Sequence, residues 1–226
     1  MEISKRLTAV AEFVKYRTIA DIGTDHGYIP CFLALNKKID SAFACDVNEG
    51  PLEKAKENIA LNGLENVIKP RLGSGLSALG DDTAETIVIA GMGGLLICNI
   101  LNDEKEKLKN IKQLVLQPQR DTESVRKLLH SLGFVIEDEE MLIDNGKYYT
   151  IISAVHGSEK YENETDYLYG RKLMEKKSPV LKEYLEKMKS KYEKILSKTA
   201  EKSETDESIE KMKVQCRMAE EVLEKL

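Results

Sequence analysis

The sequence predicts an α/β fold in which a doubly wound parallel sheet closes with an antiparallel hairpin and is followed by a helical extension. Between residues 18 and 155, short β-branched segments alternate with helical segments, the pattern of a parallel sheet covered by helices. The last two β-rich segments are joined by Asn145-Gly146, a turn typical of antiparallel neighbours. After about residue 158 the strand signals end. We therefore expect an α/β domain of residues 1–157 and a helical domain of residues 158–226.

Composition limits the class of protein. The chain has 226 residues, of which 42% are apolar and 32% charged, with a net charge of −5. No segment approaches the roughly 18 apolar residues of a membrane span, and the N-terminus lacks the apolar run of a secretory signal, so we expect a cytoplasmic protein without a membrane partner. The acidic balance gives no overall attraction to nucleic acid, so any RNA would have to meet a local basic patch.

Cysteine and histidine usage argues against a metal site. The four cysteines are widely spaced and form no CxxC pair, and no two of the three histidines lie at metal-ligand spacing. We therefore expect reduced thiols in the core and no bound metal.

The elements of the α/β domain follow one another in a regular order. Residues 2–15 place apolar side chains on one face of a helix that should cover the sheet, with Lys5 and Arg6 outside. A helix that begins near residue 48 stops at Asn62-Gly63. The predicted parallel strands are 17–23, 41–47, 68–74, 85–91 and 113–118, and the hairpin spans 134–157.

The helical domain carries two heptad series. The first consists of Leu181, Leu185, Met188, Tyr192, Ile195 and Thr199, and the second of Ile209, Met212, Cys216, Ala219, Leu223 and Leu226. The polar segment 202–208 breaks the pattern between them, so an antiparallel coiled-coil hairpin is the simplest arrangement. Spacing leaves open whether this hairpin packs, dimerises or binds a substrate. We expect a monomer or a weak homodimer.

The turn after the first strand combines glycines with acidic residues. Asp21, Gly23 and Asp25 occupy alternate positions, and His26 and Gly27 follow. A dinucleotide fingerprint requires glycine where Asp25 stands, because the backbone there approaches a pyrophosphate that a carboxylate would repel. S-adenosylmethionine has no phosphate and carries a sulfonium and an α-ammonium group, which carboxylates attract. A terminal hairpin is also common in methyltransferases that use this cofactor. The alternative is an Asp-capped turn without a ligand.

The ends of the other strands complete the predicted site, because ligands of open α/β sheets bind outside the carboxyl ends of the strands. Asp46 is placed to accept hydrogen bonds from the ribose hydroxyls of an adenosine or to cap the following helix. Gly73 and Ser74 allow backbone to pass close to an adenine. Ala90 and Gly91 end the fourth strand. The predicted cofactor residues are Asp21, Gly23, Asp25, His26, Gly27, Asp46, Gly73, Ser74, Ala90 and Gly91.

Three motifs make the chain recognisable. ADIGTDHGYIP at 20–30, VIAGMGG at 88–94 and LVLQPQ at 114–119, with a helical tail, resemble the bacterial family of tRNA adenine-N1 methyltransferases that modify adenine 22. The resemblance covers the whole chain in its order of elements. It implies a Rossmann-like class I methyltransferase fold, methyl transfer from S-adenosylmethionine to a tRNA adenine, and a coiled coil that helps to hold the tRNA.

The residues are compatible with this chemistry. The N1 lone pair of neutral adenine is available at pH 7, so the enzyme must mainly align donor and acceptor and tolerate the positive charge of the product. Gln117 would accept from the exocyclic N6. The predicted catalytic residues are Asp25, Gly91, Met92 and Gln117, and the predicted RNA contacts are Lys5, Arg6 and Tyr28.

Three alternatives remain open at this stage. The same cofactor pocket would serve a methyltransferase acting on a small molecule or a protein, which would not need the helical tail. The fold could instead be a catalytically idle binding module whose coiled coil recruits a partner, although the retained Asp21 and Asp46 argue against it. A dehydrogenase is disfavoured by Asp25 and by the terminal hairpin.

Overall fold

The computed structural model describes residues 1–199 and 207–226, which divide into two compact units, Met1–Lys160 and Tyr161–Leu226. The strands are β1 Thr18–Ile22, β2 Ser41–Asp46, β3 Ile68–Leu72, β4 Thr86–Met92, β5 Gln113–Pro118, β6 Phe134–Asp144 and β7 Lys147–His156. The helices are α1 Lys5–Glu12, α2 Tyr28–Leu35, α3 Glu49–Leu61, α4 Gly94–Asp103, α5 Lys105–Leu108, α6 Thr122–Ser131, α7 Arg171–Glu175, α8 Pro179–Thr199 and α9 Glu207–Leu223.

The first unit contains one seven-stranded sheet in the order β3-β2-β1-β4-β5-β7-β6. The first five strands of that order are parallel, and β7 is antiparallel to both β5 and β6. The predicted parallel sheet with a terminal hairpin is confirmed. Because β1 pairs with both β2 and β4, the strand order reverses at β1, and the carboxyl ends of β1 and β4 border the crevice where such sheets bind ligands.

The central strands are buried on both faces. All six residues of β5 are buried, as is expected of a strand with helices on both sides. The edge strand β6 alternates buried and more exposed residues over part of its length, because one face looks towards solvent.

A buried glutamine ties helix α1 to the sheet. Gln113 of β5 is fully buried, and its Nε2 donates to the carbonyl of Phe13 at 2.7 Å and to Ser153 Oγ at 2.9 Å. Its Oε1 accepts from the Lys15 backbone N–H at 3.0 Å and from Thr86 Oγ1 at 3.1 Å. With both amide atoms satisfied, Gln113 fixes the C-terminal end of α1 and the linker to β1 over the sheet.

The second unit contains two packed helices, α8 and α9. Lys189 Nζ of α8 lies 2.8 Å from Glu220 Oε1 of α9, and the Tyr169 hydroxyl donates to the Gln215 carbonyl at 3.2 Å. The predicted helical extension is confirmed, and its coiled-coil geometry stays a prediction. The buried seam differs in one place, since Val222 is fully buried and the predicted Leu223 is only half-buried.

Two predictions about the helical domain concern residues that the structure does not describe. Most of the predicted break, residues 202–206, and the side chain of Thr199 in the first heptad series lie outside the described residues.

The division between the units falls after Lys160, three residues beyond the predicted boundary, because the segment that follows β7 groups with the sheet. Among residues 1–199 and 207–226, no helix is long and apolar enough to cross a membrane.

A buried ion pair joins α6 to β6. Arg126 Nε donates to Glu139 Oε1 at 2.7 Å, and the side chains are 1% and 0% exposed. Removing the cation leaves a carboxylate in the core without this partner, so Arg126→Met is expected to lower the free energy of unfolding by about 3–5 kcal/mol.

Urea denaturation measures this loss. The control is Lys127→Met on the same helix. The Lys127 side chain is 43% exposed and pairs with Glu123 one turn away, so its replacement should lower the free energy of unfolding by less than about 0.5 kcal/mol. Equal costs for the two variants would show that the buried pair does not stabilise the fold.

Candidate active site

Backbone hydrogen bonds and a glycine conformation fix the turn after β1. Gly23 adopts a φ of +76°, and the N–H groups of Gly23 and Thr24 both donate to the carbonyl of Cys45 at 2.8 Å. A side chain would be strained at this φ, and an added Cβ would lie 1.9 Å from Met92 Cε. The turn therefore joins the ends of β1 and β2 and brings bare backbone against Met92.

Asp21 is the buried carboxylate of the site. Its side chain lies at the end of β1 with the residue 4% exposed, and Thr24 Oγ1 donates to its Oδ2 at 2.6 Å. Burial raises the pKa of Asp21 to about 6, the Thr24 hydrogen bond opposes the rise, and the charges of Asp46 and Asp25 add to it. The ionised form of Asp21 is therefore destabilised by its surroundings, and a nearby cation would stabilise it.

A cavity of about 190 Å³ opens at the strand-order reversal. Six of its eight lining residues belong to the predicted cofactor, catalytic or RNA-contact sets, and they come from the ends of β1 and β4, the turn after β1, and the helices α1 and α2. The lining residues are Arg6, Leu7, Asp21, Gly23, Asp25, Tyr28, Ile29 and Ala90. The apolar lining residues Leu7 and Ile29 were not predicted, because their positions on α1 and α2 are those of ordinary core residues.

Asp46 and Gly73 meet at the neighbouring strand ends. Asp46 Oδ1 accepts from the Asn48 N–H at 2.7 Å, and the Gly73 N–H donates to the Asp46 carbonyl at 2.9 Å. A Cβ on Gly73 would lie 2.8 Å from Ala78 Cα, so glycine is required for the turn to close against the following segment. Ser74 is exposed. These residues do not line the 190 Å³ cavity, but Asp46 raises the pKa of Asp21.

Arg6 lies inside the site, whereas the sequence placed it on the outer face of α1. It is half-buried, its Nη1 donates to Gln117 Oε1 at 2.7 Å, and its guanidinium carbon lies 5.5 Å from the centre of the Tyr149 ring. Gln117 is fully buried, and its Nε2 donates to the Pro118 carbonyl at 3.0 Å. Both amide atoms of Gln117 are thus engaged within the protein, and the Oε1 that was expected to accept from the adenine N6 accepts from Arg6.

Three further predicted residues, His26, Gly27 and Lys5, are not among the residues that line the cavity. His26 Nε2 lies 3.2 Å from Asp25 Oδ1, and its ring stacks on Tyr28 with centroids 5.1 Å apart. A Cβ on Gly27 would contact Ala55 at 3.3 Å, so Gly27 permits α2 to pack on α3. Lys5 is exposed on α1 and does not line the cavity.

Glycines shape the end of β4 and the start of α4. Gly91 adopts a φ of +84°, and a Cβ on it would lie 3.6 Å from Arg6 Nη1. The Gly94 N–H donates to the Arg120 carbonyl at 3.0 Å, and a Cβ there would lie 2.5 Å from that oxygen. Gly91 thus suits the left-handed backbone near the end of β4, and Gly94 lets the start of α4 lie against the segment that follows β5. Within residues 1–199 and 207–226, no three His, Cys, Asp or Glu side chains are grouped to hold a metal ion.

Replacing Asp21 by asparagine is expected to change how stability depends on pH. The folded pKa of about 6 lies above the unfolded value of about 3.9, so the ionised carboxylate destabilises the fold above pH 6. This cost disappears as the pH falls from about 6 to about 4. Asp21→Asn should therefore raise the free energy of unfolding at pH 7.5 by on the order of 2–3 kcal/mol, with little effect at pH 4.

Urea unfolding at the two pH values measures this difference. Asp40→Asn serves as a control of opposite sign, because the hydrogen bond from Arg17 lowers the pKa of that exposed carboxyl and its contribution is lost as the pH falls. An Asp21→Asn effect that is the same at pH 4 and pH 7.5 would contradict the assigned environment of Asp21.

Known proteins resemble this chain along most of its length. The family model described as tRNA (adenine(22)-N(1))-methyltransferase matches residues 19–221. A Bacillus subtilis (strain 168) protein named tRNA (adenine(22)-N(1))-methyltransferase is 39% identical over 158 residues, which are 70% of this chain and 66% of that protein. The matched part is thus just under two thirds of that relative's length.

Solved structures agree with this assignment. Streptococcus pneumoniae Sp1610, a candidate tRNA (m1A22) methyltransferase, superposes with a TM-score of 0.92 at 36% identity, covering 98% of this chain and 100% of that one. Its complex with S-adenosyl-L-methionine gives a TM-score of 0.89 at 35% identity with the same coverage. The fold and the family predicted from the motifs are confirmed, and this chain belongs to the tRNA (adenine(22)-N1)-methyltransferase family.

Proposed function

We propose that this chain transfers the methyl group of S-adenosylmethionine to N1 of adenine 22 in tRNA. The observation that carries the proposal is the cavity at the strand-order reversal, where Asp21 and Asp25 provide negative charge beside the bare backbone of Gly23. Membership of the family and the cofactor complex of the Streptococcus pneumoniae protein support the choice of reaction.

The residues present fit this cofactor. Asp21 is buried and destabilised when ionised, so a cationic ligand beside it is favoured. Asp21 and Asp25 would hold the α-ammonium group, and Asp46 would accept the ribose hydroxyls. Gly73 would leave room for the adenine. When bound, S-adenosylmethionine supplies a methyl carbon that is activated by a positively charged sulfur.

The reaction requires alignment more than proton transfer. The N1 lone pair of the acceptor adenine forms the new bond to the methyl carbon, the carbon–sulfur bond breaks, and its electron pair stays on sulfur. The positive charge therefore moves from sulfur to the adenine ring, and no proton has to be removed in this step. The chain contributes by orienting the two groups, by excluding water and by keeping carboxylates near the moving charge.

The residues assigned to catalysis have different parts in this proposal. Asp25 is 79% exposed in its side chain, so it can face the charge that develops on an incoming base. Gly91 and Met92 end β4 beside the cavity and would border the acceptor, with Met92 packed against Gly23. Gln117 accepts a hydrogen bond from Arg6 and would act by orienting the Arg6 guanidinium group, so it is a positioning residue.

A matched pair of transcripts tests the reaction. The protein is incubated with labelled S-adenosylmethionine and either a tRNA transcript with A22 or the same transcript with G22, and the methylated nucleoside is then identified by mass spectrometry. We expect N1-methyladenosine in the first transcript only, because guanine presents a protonated N1 in place of a lone pair. Equal labelling of both transcripts, or no labelling of the first, would contradict the proposal.

In this proposal the second unit helps to bind tRNA through exposed lysines of α8. Lys182, Lys191 and Lys194 are exposed, and replacing all three by glutamine is expected to weaken tRNA binding and to lower the slope of log affinity against log salt by up to about three. The affinity for S-adenosylmethionine should not change, because the predicted cofactor residues all lie in the first unit.

The control removes the same charge from the first unit. Lys38, Lys54 and Lys69 are exposed there, and their triple glutamine variant should have a smaller effect on the salt dependence of tRNA binding. If the two triple variants weaken tRNA binding equally, the second unit has no specific part in binding.

A further inference from the structure

Arg6 is a cation held in a fixed orientation at the edge of the cavity. Its backbone N–H donates to Asp144 Oδ2 at 3.0 Å, which anchors α1 to the end of β6. Its Nη1 donates to Gln117 Oε1 at 2.7 Å, and its guanidinium carbon lies 5.5 Å from the centre of the Tyr149 ring. An amide and an aromatic ring orient the guanidinium group without neutralising its charge.

Among the described residues, no ion pair balances the charge of Arg6. Within the parts of the chain that the structure describes, residues 1–199 and 207–226, its recorded side-chain partners are the neutral Gln117 and Tyr149. A guanidinium group has five N–H donors, so the bond to Gln117 leaves others for a ligand. Since Arg6 lines the same cavity as Asp21 and Asp25, these donors are accessible from the ligand side.

The cavity therefore offers both signs of charge to one ligand. The amino-acid end of S-adenosylmethionine is a zwitterion, with an ammonium group that matches Asp21 and Asp25 and a carboxylate that needs a cation. Arg6 is the cation among the lining residues. A tRNA phosphate is a poorer match, because it would bring net negative charge towards two carboxylates, whereas S-adenosylmethionine carries a net positive charge.

We infer that Arg6 binds the α-carboxylate of S-adenosylmethionine, with Gln117 and Tyr149 as the residues that position its guanidinium group. This inference rests on the proposed function for the identity of the cofactor, and it replaces the RNA contact that the sequence suggested for Arg6. A guanidinium group can bind a carboxylate through two parallel hydrogen bonds, which would fix the methionine end of the cofactor relative to β4.

Decarboxylated S-adenosylmethionine provides a direct test, because it keeps the sulfonium and the amine and lacks only the carboxylate. Calorimetry would measure the dissociation constants of both ligands for the unchanged protein, Arg6→Met and Arg6→Lys. We expect Arg6→Met to weaken binding of S-adenosylmethionine by about 10- to 100-fold and to change binding of the decarboxylated ligand by less than about 3-fold. Arg6→Lys should fall between, because an ammonium group cannot form the two parallel bonds.

Lys147→Met is the matched control for the change in net charge. Lys147 is exposed in the same hairpin that carries Asp144 and Tyr149, and its replacement should leave the affinity for both ligands unchanged. The decarboxylated ligand also reports whether Arg6→Met folds, since its binding needs an intact cavity.

The possible outcomes separate this inference from the proposed function. If the unchanged protein binds neither ligand, the proposed function itself is wrong. If the unchanged protein binds S-adenosylmethionine and Arg6→Met weakens both ligands equally, only the role of Arg6 is overturned. A loss of tRNA affinity in Arg6→Met with unchanged affinity for S-adenosylmethionine would also overturn it, in favour of an RNA contact.

Discussion

The constraint on which the site depends is the crowding of carboxylates at the carboxyl ends of β1 and β2. Asp21 is buried, and its pKa is raised to about 6 by burial and by the charges of Asp46 and Asp25. Such an arrangement destabilises the chain in the absence of a ligand at neutral pH, so it is compatible with stable folding only because the rest of the unit compensates. A cationic ligand that carries no phosphate converts the same repulsion into attraction.

The surrounding structure holds these carboxylates through backbone groups. The Cys45 carbonyl accepts two N–H groups of the turn after β1, which fixes β1 and β2 together next to the site. Gln113 satisfies four groups, two from the segment that follows α1 and one each from β4 and β7, and so holds α1 over the sheet. This docking allows Arg6 to reach the cavity from an element that precedes β1. The site therefore depends on contacts between segments that are far apart in sequence.

The sequence predicted the features that depend on local chemistry. The strands, the Asn145-Gly146 hairpin and the acidic turn after β1 follow from periodicity and turn residues, and each lies where it was expected. The orientation of Arg6 could not be predicted in this way, because the helical pattern only shows that it lies beside the apolar face. Its direction is decided by Gln117, a partner 111 positions away in the sequence. The burial of Val222 is likewise set by packing, which heptad spacing does not resolve between adjacent positions.

The central claim is that the acidic turn selects a cationic cofactor without phosphates, and calorimetric titrations with two ligands test it most directly. S-adenosylmethionine and NAD would be titrated into the unchanged protein and into Asp46→Ala. The account predicts binding of S-adenosylmethionine that weakens in Asp46→Ala, where an acceptor for the ribose is lost, and no measurable binding of NAD to either protein. Binding of NAD as tight as that of S-adenosylmethionine would contradict it.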